Sequence, residues 1–204
     1  MTYRIGLISD VHCAPQPVAE ALAVFDRAGV DRVLCAGDIA GYGGALDETV
    51  DLLREHGCGS IYGNHELRYL ECNPEPSSPV TDYIRNLPAT LELEIEGRSL
   101  YMVHASPPCD VMDGIQLLDE AGEVIAAQKH YWVQRLDDFV PDVLVVGHTH
   151  QVFAEQLGDT LVINPGSTRF NHTCAVVTFP ALSVEVFPLS GQIPVKSWHW
   201  KGVE

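Results

Sequence analysis

The stretch "PDVLVVGHTHQVF", residues 141 to 153, carries the clearest structural signal in the chain. From Val143 to Gly147 it is apolar and β-branched, as is typical of a strand buried on both faces. The chain then runs directly into His148 and His150. Side chains at i and i+2 of an extended backbone point to the same side. We therefore predict a core strand that ends in two imidazoles converging on one site.

The first half of the sequence alternates strand and helix patterns. Short apolar runs predict strands at 3–9, 31–37 and 59–63. Between them, helical spacing predicts helices at 16–29 and 46–57, each ending at a glycine. This alternation implies parallel strands joined by right-handed crossovers.

The second half is dominated by strand pairs. It contains a hairpin pattern at 90–106 around Gly97-Arg98, a helix at 126–139, and strand pairs at 152–166 and 174–189 with turns at Gly158-Asp159 and Pro180-Ala181. We predict an α/β fold, a four-layer αββα sandwich of two mixed β-sheets flanked by helices, in one domain covering residues 1–204. Residues 70–82 and 106–123 are predicted to be loops or lids.

Composition and charge exclude several classes of protein. The 204-residue chain has 28 acidic against 12 basic residues and a net charge of −16. It has no cluster of Lys and Arg that would bind a nucleic-acid duplex. No apolar run approaches the roughly 20 residues that span a membrane. The first residues enter a strand pattern without the features of a signal peptide, so we predict a cytoplasmic protein.

Polar side chains follow the predicted strands where each one ends. They are Asp10 and His12 after the first strand, Asp38 after the second, Asn64, His65 and Glu66 after the third, His104 after the hairpin, and His148 and His150 after the strand at 143–147. Each alone has a simpler explanation, as a cap, a turn residue or an ordinary polar histidine. In open α/β sheets, however, ligands bind beyond the carboxyl ends of the strands. These residues can therefore share one place.

Together these residue types suit a centre with two metal ions. Two divalent ions roughly 3.5–4 Å apart can hold the attacking and leaving oxygens of an in-line displacement. Mixed Asp, Asn and His ligands suit Mn, Fe or Zn. On this interpretation His148 and His150, which point to the same side after the strand at 143–147, bind one ion each.

Five ordered blocks resemble those of the calcineurin-like metallophosphoesterase superfamily. They are "SDVH" from residue 9, "GDIAG" from 37, "GNHE" from 63, "VH" before "ASP" at 103–107 and "GHTH" from 147, and "INPGS" at 163–167 continues them. The resemblance is closest to the small bacterial and archaeal phosphodiesterase-like branch. It implies the four-layer sandwich and hydrolysis of phosphate esters at a dinuclear metal centre.

The resemblance also implies a role for each residue. One metal would be held by Asp10, His12 and His150 and the other by Asn64, His104 and His148, with Asp38 bridging both and a water or hydroxide as second bridge and nucleophile. His65 would protonate the leaving oxygen or steady the phosphate, with a hydrogen bond to a ligand as the alternative, and Glu66 would support the ligands or have a structural role. We expect two divalent ions, Mn²⁺ first, with Fe, Zn, Ni or Co as alternatives.

The expected substrates are small-molecule phosphate esters or nucleotides, with phosphodiesters, including cyclic nucleotides, favoured. Gly41 and Tyr42 stand where the superfamily's protein phosphatases have an Asp-Arg pair, which argues against a phosphoprotein substrate. Arg68 and Arg169 remain as candidates for contacting phosphate, with ordinary surface roles as the alternative.

Two other functions stay open at this stage. One is a phosphomonoesterase or dinucleoside polyphosphatase, and the other is a non-catalytic protein-interaction scaffold of the same fold. An oligomer is possible. The tail at 197–202, "SWHWKG", could border the site.

Overall fold

The computed structural model describes residues 2–75 and 78–198. Its helices are α1 Pro15–Ala28, α2 Leu46–Glu55, α3 Asn64–Cys72, α4 Pro79–Arg85 and α5 Ala126–Arg135. Its strands are β1 Tyr3–Ile8, β2 Arg32–Cys35, β3 Gly59–Ser60, β4 Thr90–Ile95, β5 Arg98–Val103, β6 Val143–Val145, β7 Val152–Leu157, β8 Thr160–Pro165, β9 Thr173–Phe179 and β10 Ser183–Pro188. Among the described residues, no helix combines the length and the apolar character needed to cross a membrane.

The strands form two mixed sheets. The first sheet has the order β10-β9-β1-β2-β3 and the second has the order β4-β5-β6-β8-β7. Three neighbouring strands are parallel in each sheet, β1-β2-β3 and β5-β6-β8, and antiparallel strands flank them. The carboxyl ends of parallel neighbours lie at the same edge of a sheet, which is where ligands bind in such folds.

Three hydrophobic layers hold the sheets and helices together. The central layer lies between the two sheets and includes Leu7, Met102 and Phe179. A second layer, around Phe25, packs helices α1, α2 and α4 against the first sheet. A third layer, around Trp132, packs α5 against the second sheet. The order helix, sheet, sheet, helix confirms the predicted αββα sandwich.

Strand β6 has the double burial that its sequence predicts. Val143 and Val145 are fully buried in the layer between the sheets. Leu144 and Val146 are fully buried on the opposite face, in the layer beneath α5. Burying one aliphatic side chain stabilises a fold by about 1.5–3 kcal/mol. The strand is therefore firmly fixed, and it delivers the following turn to the edge of the sheet.

The segment 70–82 is not the continuous loop predicted from its composition. Its first residues are the end of α3, and its last residues are the first half of α4. The side chain of Ser78 accepts a hydrogen bond from the N–H of Thr81 at 3.1 Å, and Pro79 follows in the first turn of α4. Serine followed by proline is a helix-start signal, and it outweighs the polar composition of the segment.

Two further local predictions concern the β4–β5 turn and the segment 106–123; the first is wrong by one residue and the second is confirmed. The β4–β5 turn is Glu96-Gly97 rather than Gly97-Arg98, because these two residues have the positive φ angles, 50° and 76°, that a type I′ turn requires. Residues 106–123 contain no helix or strand, as predicted, although an isolated bridge joins Ser106 to Asp110.

Candidate metal centre

Residues from both sheets meet beyond the ends of the parallel strands. The first sheet contributes Asp10 and His12 after β1, Asp38 after β2 and Asn64 at the start of α3, and the second contributes His104 after β5 and His148 and His150 after β6. The seven residues predicted as metal ligands form two adjoining groups.

The first group consists of Asp10, His12 and His150, whose ligand atoms lie within 4.8 Å of one another. Oδ1 of Asp10 is 3.2 Å from Nε2 of His150, and that nitrogen is 3.2 Å from Nε2 of His12. All three side chains are buried. Two imidazole nitrogens and a carboxylate that face one point form a donor set for a divalent transition-metal ion.

The second group consists of Asp38, His104 and His148, joined by Asn64. Oδ1 of Asp38 is 3.4 Å from Nε2 of His104. The amide oxygen of Asn64 is 3.2 Å from that nitrogen and 3.1 Å from Nδ1 of His148. Asp38 also groups with His12 and His65 within 4.8 Å. Its carboxylate therefore faces both groups, and the geometry alone would also allow His65 to act as a ligand.

Backbone carbonyls orient two of the imidazoles. Nδ1 of His104 lies 2.7 Å from the carbonyl oxygen of Ala36, and Nδ1 of His12 lies 3.2 Å from that of Ala40. A carbonyl only accepts hydrogen bonds, so Nδ1 carries the proton in both rings. When such a ring is neutral, its Nε2 lone pair faces the centre, as in metal-binding histidines. The residues therefore fit divalent metal ions.

The backbone at the ligand residues differs from the extended conformation expected after β6. Strand β6 ends at Val145, and both His148 and His150 have positive φ, 64° and 49°. The two imidazoles consequently turn into different groups instead of pointing to the same side. Asp10 and His12 also have positive φ, 51° and 49°. Asp and His tolerate this region better than most side chains, and such strain is typical of functional sites.

Glycine is required where the backbone passes closest to the ligands. Gly37 has φ of +95°, and a Cβ placed there would lie 2.8 Å from Nδ1 of His104. A Cβ at Gly63 would collide with Oδ1 of Asp38. Any larger residue at either position would displace a ligand.

The charges of the cluster are arranged around its buried carboxylates. Burial raises the pKa of Asp10, but His150, His104 and His12 together outweigh this effect and hold the pKa well below its ordinary value. Burial lowers the pKa of His104, whereas Asp38 and Asp10 raise it to about 10 in the metal-free protein. Burial lowers the pKa of His12 to about 4. A bound cation would take over the neutralising role of protonated His104.

Glu66 supports the loops around the centre. Its fully buried carboxylate accepts hydrogen bonds from the backbone N–H groups of Asp38, Ala40 and Gly63 at 2.7–2.8 Å. Burial and the charge of Asp38 raise the pKa of Glu66 to about 7. Glu66 thus ties the loop after β2 to the start of α3, in line with the supporting role expected for it.

Two serines that sequence reasoning did not single out hold Asp10 in place. Oγ of Ser9 donates to Oδ2 of Asp10 at 2.6 Å, and Oγ of Ser167 donates to the backbone carbonyl of Asp10 at 2.6 Å. Ser167 lies in the "INPGS" block, so its place in the motif order could have indicated it. No chemical signal in the sequence distinguishes Ser9 from an ordinary strand-end serine.

His65 lies at the edge of the centre beside an aromatic residue. Its backbone N–H donates to Oδ1 of Asp38 at 2.9 Å. Its ring centroid is 4.8 Å from that of His12 and 4.7 Å from that of Tyr42. Tyr42 is 50% exposed, so it places a phenol next to both imidazoles at the surface of the site.

A second aromatic pair borders His150. The ring of Phe170 stacks on His150 at a centroid distance of 5.3 Å and on Trp198 at 4.4 Å. Of the tail at 197–202, which was predicted to border the site, the structure describes Ser197 and Trp198. His199 to Gly202 lie outside the described residues.

The two arginines considered for phosphate contact have different surroundings. Arg169 donates a hydrogen bond to the carbonyl oxygen of His12 at 2.6 Å and therefore braces the loop after β1. Arg68 lies with His65 and Tyr42 around a pocket of about 320 Å³. Its guanidinium forms no hydrogen bond or ion pair with another residue in the described ranges. Of the two, Arg68 is the one free to meet an anion.

Comparison with known proteins agrees with this geometry. A family model described as the calcineurin-like phosphoesterase superfamily domain matches residues 3–185. The chain belongs to this superfamily. The superfamily is metal-dependent, and membership supports a phosphoester hydrolase.

Individual relatives from the superfamily extend over most of the chain. A probable metallophosphoesterase of Methanocaldococcus jannaschii is 28% identical over 187 residues, covering 90% of this chain and 77% of the relative. The metallophosphoesterase of Sphaerobacter thermophilus superposes with a TM-score of 0.69 at 20% identity, covering 92% of this chain and 88% of its own. An archaeal phosphodiesterase superposes with a TM-score of 0.61 at 18% identity, covering 91% and 99%. The two structures share the fold of this protein.

Proposed function

We propose that this protein hydrolyses small phosphate esters, preferentially phosphodiesters such as cyclic nucleotides, with the help of two divalent metal ions. The observation that carries the proposal is the pair of adjoining ligand groups, with Asp38 in the second group and also within 4.8 Å of His12 in the first. The mixed carboxylate, amide and imidazole donors favour Mn²⁺, and Fe, Zn, Ni or Co would also suit them.

Each ligand has a proposed place. Asp10, His12 and His150 would hold one ion, Asn64, His104 and His148 would hold the other, and Asp38 would bridge them. When bound, the two ions supply an activated water molecule and neutralise charge on the phosphoryl oxygens. The carbonyls of Ala36 and Ala40 keep His104 and His12 oriented for this task.

His65 is proposed to protonate the leaving oxygen. Its ring adjoins both His12 and Tyr42, and the neighbouring Asn64 rather than His65 fills the ligand position of the motif. A positioned general acid typically contributes about 10²–10⁴-fold to the rate.

The sparse positive charge around the centre supports a phosphodiester substrate. A phosphodiester carries one negative charge at neutral pH, whereas a phosphomonoester carries nearly two. Arg169 is engaged with a backbone carbonyl, which leaves Arg68 as the arginine beside His65. An archaeal phosphodiesterase of the same fold is a precedent for this activity.

The test is a substrate screen with the manganese-loaded protein. The substrates are bis-p-nitrophenyl phosphate, p-nitrophenyl phosphate, and the 2′,3′- and 3′,5′-cyclic nucleotides. We expect faster turnover of the diester than of the monoester, and loss of both activities in Asp38→Asn. Faster turnover of p-nitrophenyl phosphate would support a phosphomonoesterase instead.

The scaffold alternative is decided in the same screen. If the protein binds two metal ions and hydrolyses neither these esters nor a dinucleoside polyphosphate added to the screen, the enzymatic proposal is wrong. All seven proposed ligands and His65 are present, which favours the enzyme.

A further inference from the structure

A cleft of about 1020 Å³ opens onto the metal centre beside helix α5. It is lined by residues between 106 and 116, by α5, by Trp198, and by His148 and His150 of the centre. We refer to it as the α5 cleft. Small-molecule sites usually measure about 300–1,000 Å³. The α5 cleft is therefore much larger than a phosphate group alone requires.

One face of α5 is turned toward this cleft. The lining residues Gln128, Tyr131, Trp132 and Arg135 follow the spacing i, i+3, i+4, i+7, which places them on one side of the helix. Trp132 is buried and packs in the core, whereas Tyr131 is 48% exposed. A half-exposed aromatic ring beside a reaction centre offers a flat apolar surface on which a planar group can stack.

Polar groups that suit a heterocyclic base lie on both walls. Gln116 and Gln128 each offer an amide oxygen that accepts and an amide nitrogen that donates hydrogen bonds. Within residues 2–75 and 78–198, neither side-chain amide is hydrogen-bonded to another residue. The edges of nucleobases carry complementary donors and acceptors.

The charge of the α5 cleft disfavours a second phosphate group. Apart from histidines, the charged side chains that line the cleft are Asp110, Asp113 and Arg135. Oδ1 of Asp110 accepts backbone hydrogen bonds from Met112 and Asp113 at 2.6 and 3.0 Å, and these bonds lower its pKa. A phosphate extending from the centre into the cleft would thus meet two carboxylates and one guanidinium. The guanidinium lies 5.8 Å from the Tyr131 ring centroid, a position from which it can also cover a stacked ring.

We propose that the α5 cleft binds a neutral nucleoside group of the substrate, stacked on Tyr131, while the metal centre holds the phosphate to which that group is esterified. This inference rests on the proposed phosphodiesterase function and narrows its substrate class. The substrate is then a phosphodiester with a nucleoside as one of its ester groups, rather than a dinucleoside polyphosphate.

The first test compares esters that share one leaving group. Thymidine 5′-(p-nitrophenyl phosphate) and ethyl p-nitrophenyl phosphate both release p-nitrophenolate, so they differ only in the group that remains on phosphorus. Base stacking on an aromatic side chain strengthens binding by about 5–150-fold. For the manganese-loaded protein we expect kcat/KM to be about 10-fold or more higher for the thymidine ester.

Variants then assign the preference to the cleft. Tyr131→Ala should lower kcat/KM for the thymidine ester about 10-fold and leave the ethyl ester unchanged, and Tyr131→Phe should retain the preference. His130→Ala, the adjacent exposed ring on α5 outside the cleft lining, is the matched control and should behave like the original protein. An equal effect of Tyr131→Ala on both esters would overturn the proposal.

A third ester tests the charge argument. Adding a 3′-phosphate to the thymidine ester should leave kcat/KM unchanged or lower it. An increase of 10-fold or more that Arg135→Gln abolishes would replace the nucleoside subsite by an anion subsite.

Binding without turnover separates this proposal from the proposed function. Saturation-transfer NMR with thymidine and the metal-free protein should detect binding that Tyr131→Ala removes and His130→Ala keeps. Hydrolysis of the ethyl ester without thymidine preference or binding overturns the subsite alone. Thymidine binding without hydrolysis of any ester overturns the proposed function and leaves the nucleoside subsite standing.

Discussion

At Asp38 a single carboxylate faces both ligand groups, within 4.8 Å of His12 and His65 on one side and of His104 and His148 on the other. Its backbone has a positive φ of 53°, and its N–H is held by Glu66. The position is therefore built to aim this carboxylate between two sites. We expect it to matter more for metal content than any ligand that belongs to one group.

The first prediction concerns the Asp38→Ala variant. Removing the carboxylate takes away a ligand of both ions and leaves two cations facing each other with less compensating charge. Elemental analysis should give clearly fewer than the two ions per chain expected for the original protein. Asp47→Ala, which removes an exposed carboxylate in α2, is the control and should keep both. Two tightly held ions in Asp38→Ala would contradict the bridging assignment.

The second prediction concerns His65→Ala. Both metal ions should remain, because Asn64 is the assigned ligand and the backbone N–H of residue 65 still donates to Asp38. Turnover of a 2′,3′-cyclic nucleotide should fall by about 10²–10⁴-fold. The loss should be smaller for bis-p-nitrophenyl phosphate, whose leaving group needs little protonation.

The two measurements on this variant have separate meanings. An equal loss on both substrates would assign phosphate positioning to His65 rather than proton donation. Loss of a metal ion would show that His65 is itself a ligand, as its grouping with His12 and Asp38 permits.

At the scale of secondary-structure elements, the packing of α1 against β1 depends on Gly6, which has no side chain. A Cβ at Gly6 would lie 2.8 Å from the ring of Phe25, which α1 packs onto the first sheet. Gly6→Ala should lower the free energy of unfolding by about 1–3 kcal/mol, as overpacking does. Urea denaturation measures the change. Gly44→Ala is the control, since a Cβ there meets nothing within 4 Å.

The carboxylate of Asp142, just before β6, is hydrogen-bonded to the start of β5. Asp142 accepts hydrogen bonds from the backbone N–H of Ser99 at 2.9 Å and from Arg98 at 2.7 Å, and these contacts lower its pKa below the ordinary value of 3.8. A lowered folded pKa adds stability above the unfolded value and loses it as the pH falls through the folded value. The stability difference between the original protein and Asp142→Asn should therefore be constant from about pH 5 to 7 and shrink below about pH 4.

Urea denaturation at several pH values checks this prediction. A difference for Asp142→Asn that grows on acidification would contradict the assigned role of Asp142.

The fold and the position of the site could be predicted from strand patterns and from motif order. The continuous apolar, β-branched run identified β6, and the polar residues at strand ends identified where the sheets would converge. His148 and His150 could be assigned to different ions from the sequence, but the positive φ of both residues could not be predicted, because it depends on contacts with distant residues such as Asp10. The α5 cleft could not be predicted from the sequence either, because Tyr131 lines a cleft only through the packing of α5 beside segment 106–116. The single domain and the cytoplasmic location stay predictions.

At the scale of the whole molecule, the ligands come from two different sheets. Asp10 and Asp38 follow strands of the first sheet, and His104 and His148 follow strands of the second. Metal ions bound there would join the sheets across their common layer. Binding at about 100 times the dissociation constant stabilises a native protein by about 2.7 kcal/mol, which is worth about 5–10 °C in Tm at this chain length.

The fifth prediction follows from that link. Chelation of the manganese-loaded protein should abolish hydrolysis, lower Tm by several degrees, and speed hydrogen exchange at the ends of β1 and β6 together. Strand β10, at the far edge of the first sheet, should exchange at an unchanged rate and serves as the internal control. Full turnover after exhaustive chelation, or faster exchange in one sheet alone, would contradict the proposed link.

The hydrogen bond from Ser167 to the carbonyl of Asp10 also has a consequence for biosynthesis. The two residues are 157 positions apart, and β9, which follows Ser167, pairs directly with β1. While the ribosome is still adding the second half, the early ligands Asp10, His12 and Asp38 lack His104, His148 and His150 and the strand that flanks β1. A nascent chain therefore has no complete centre with which to capture metal. On the proposed ligand set, a complete centre would form only in chains translated at least as far as β9.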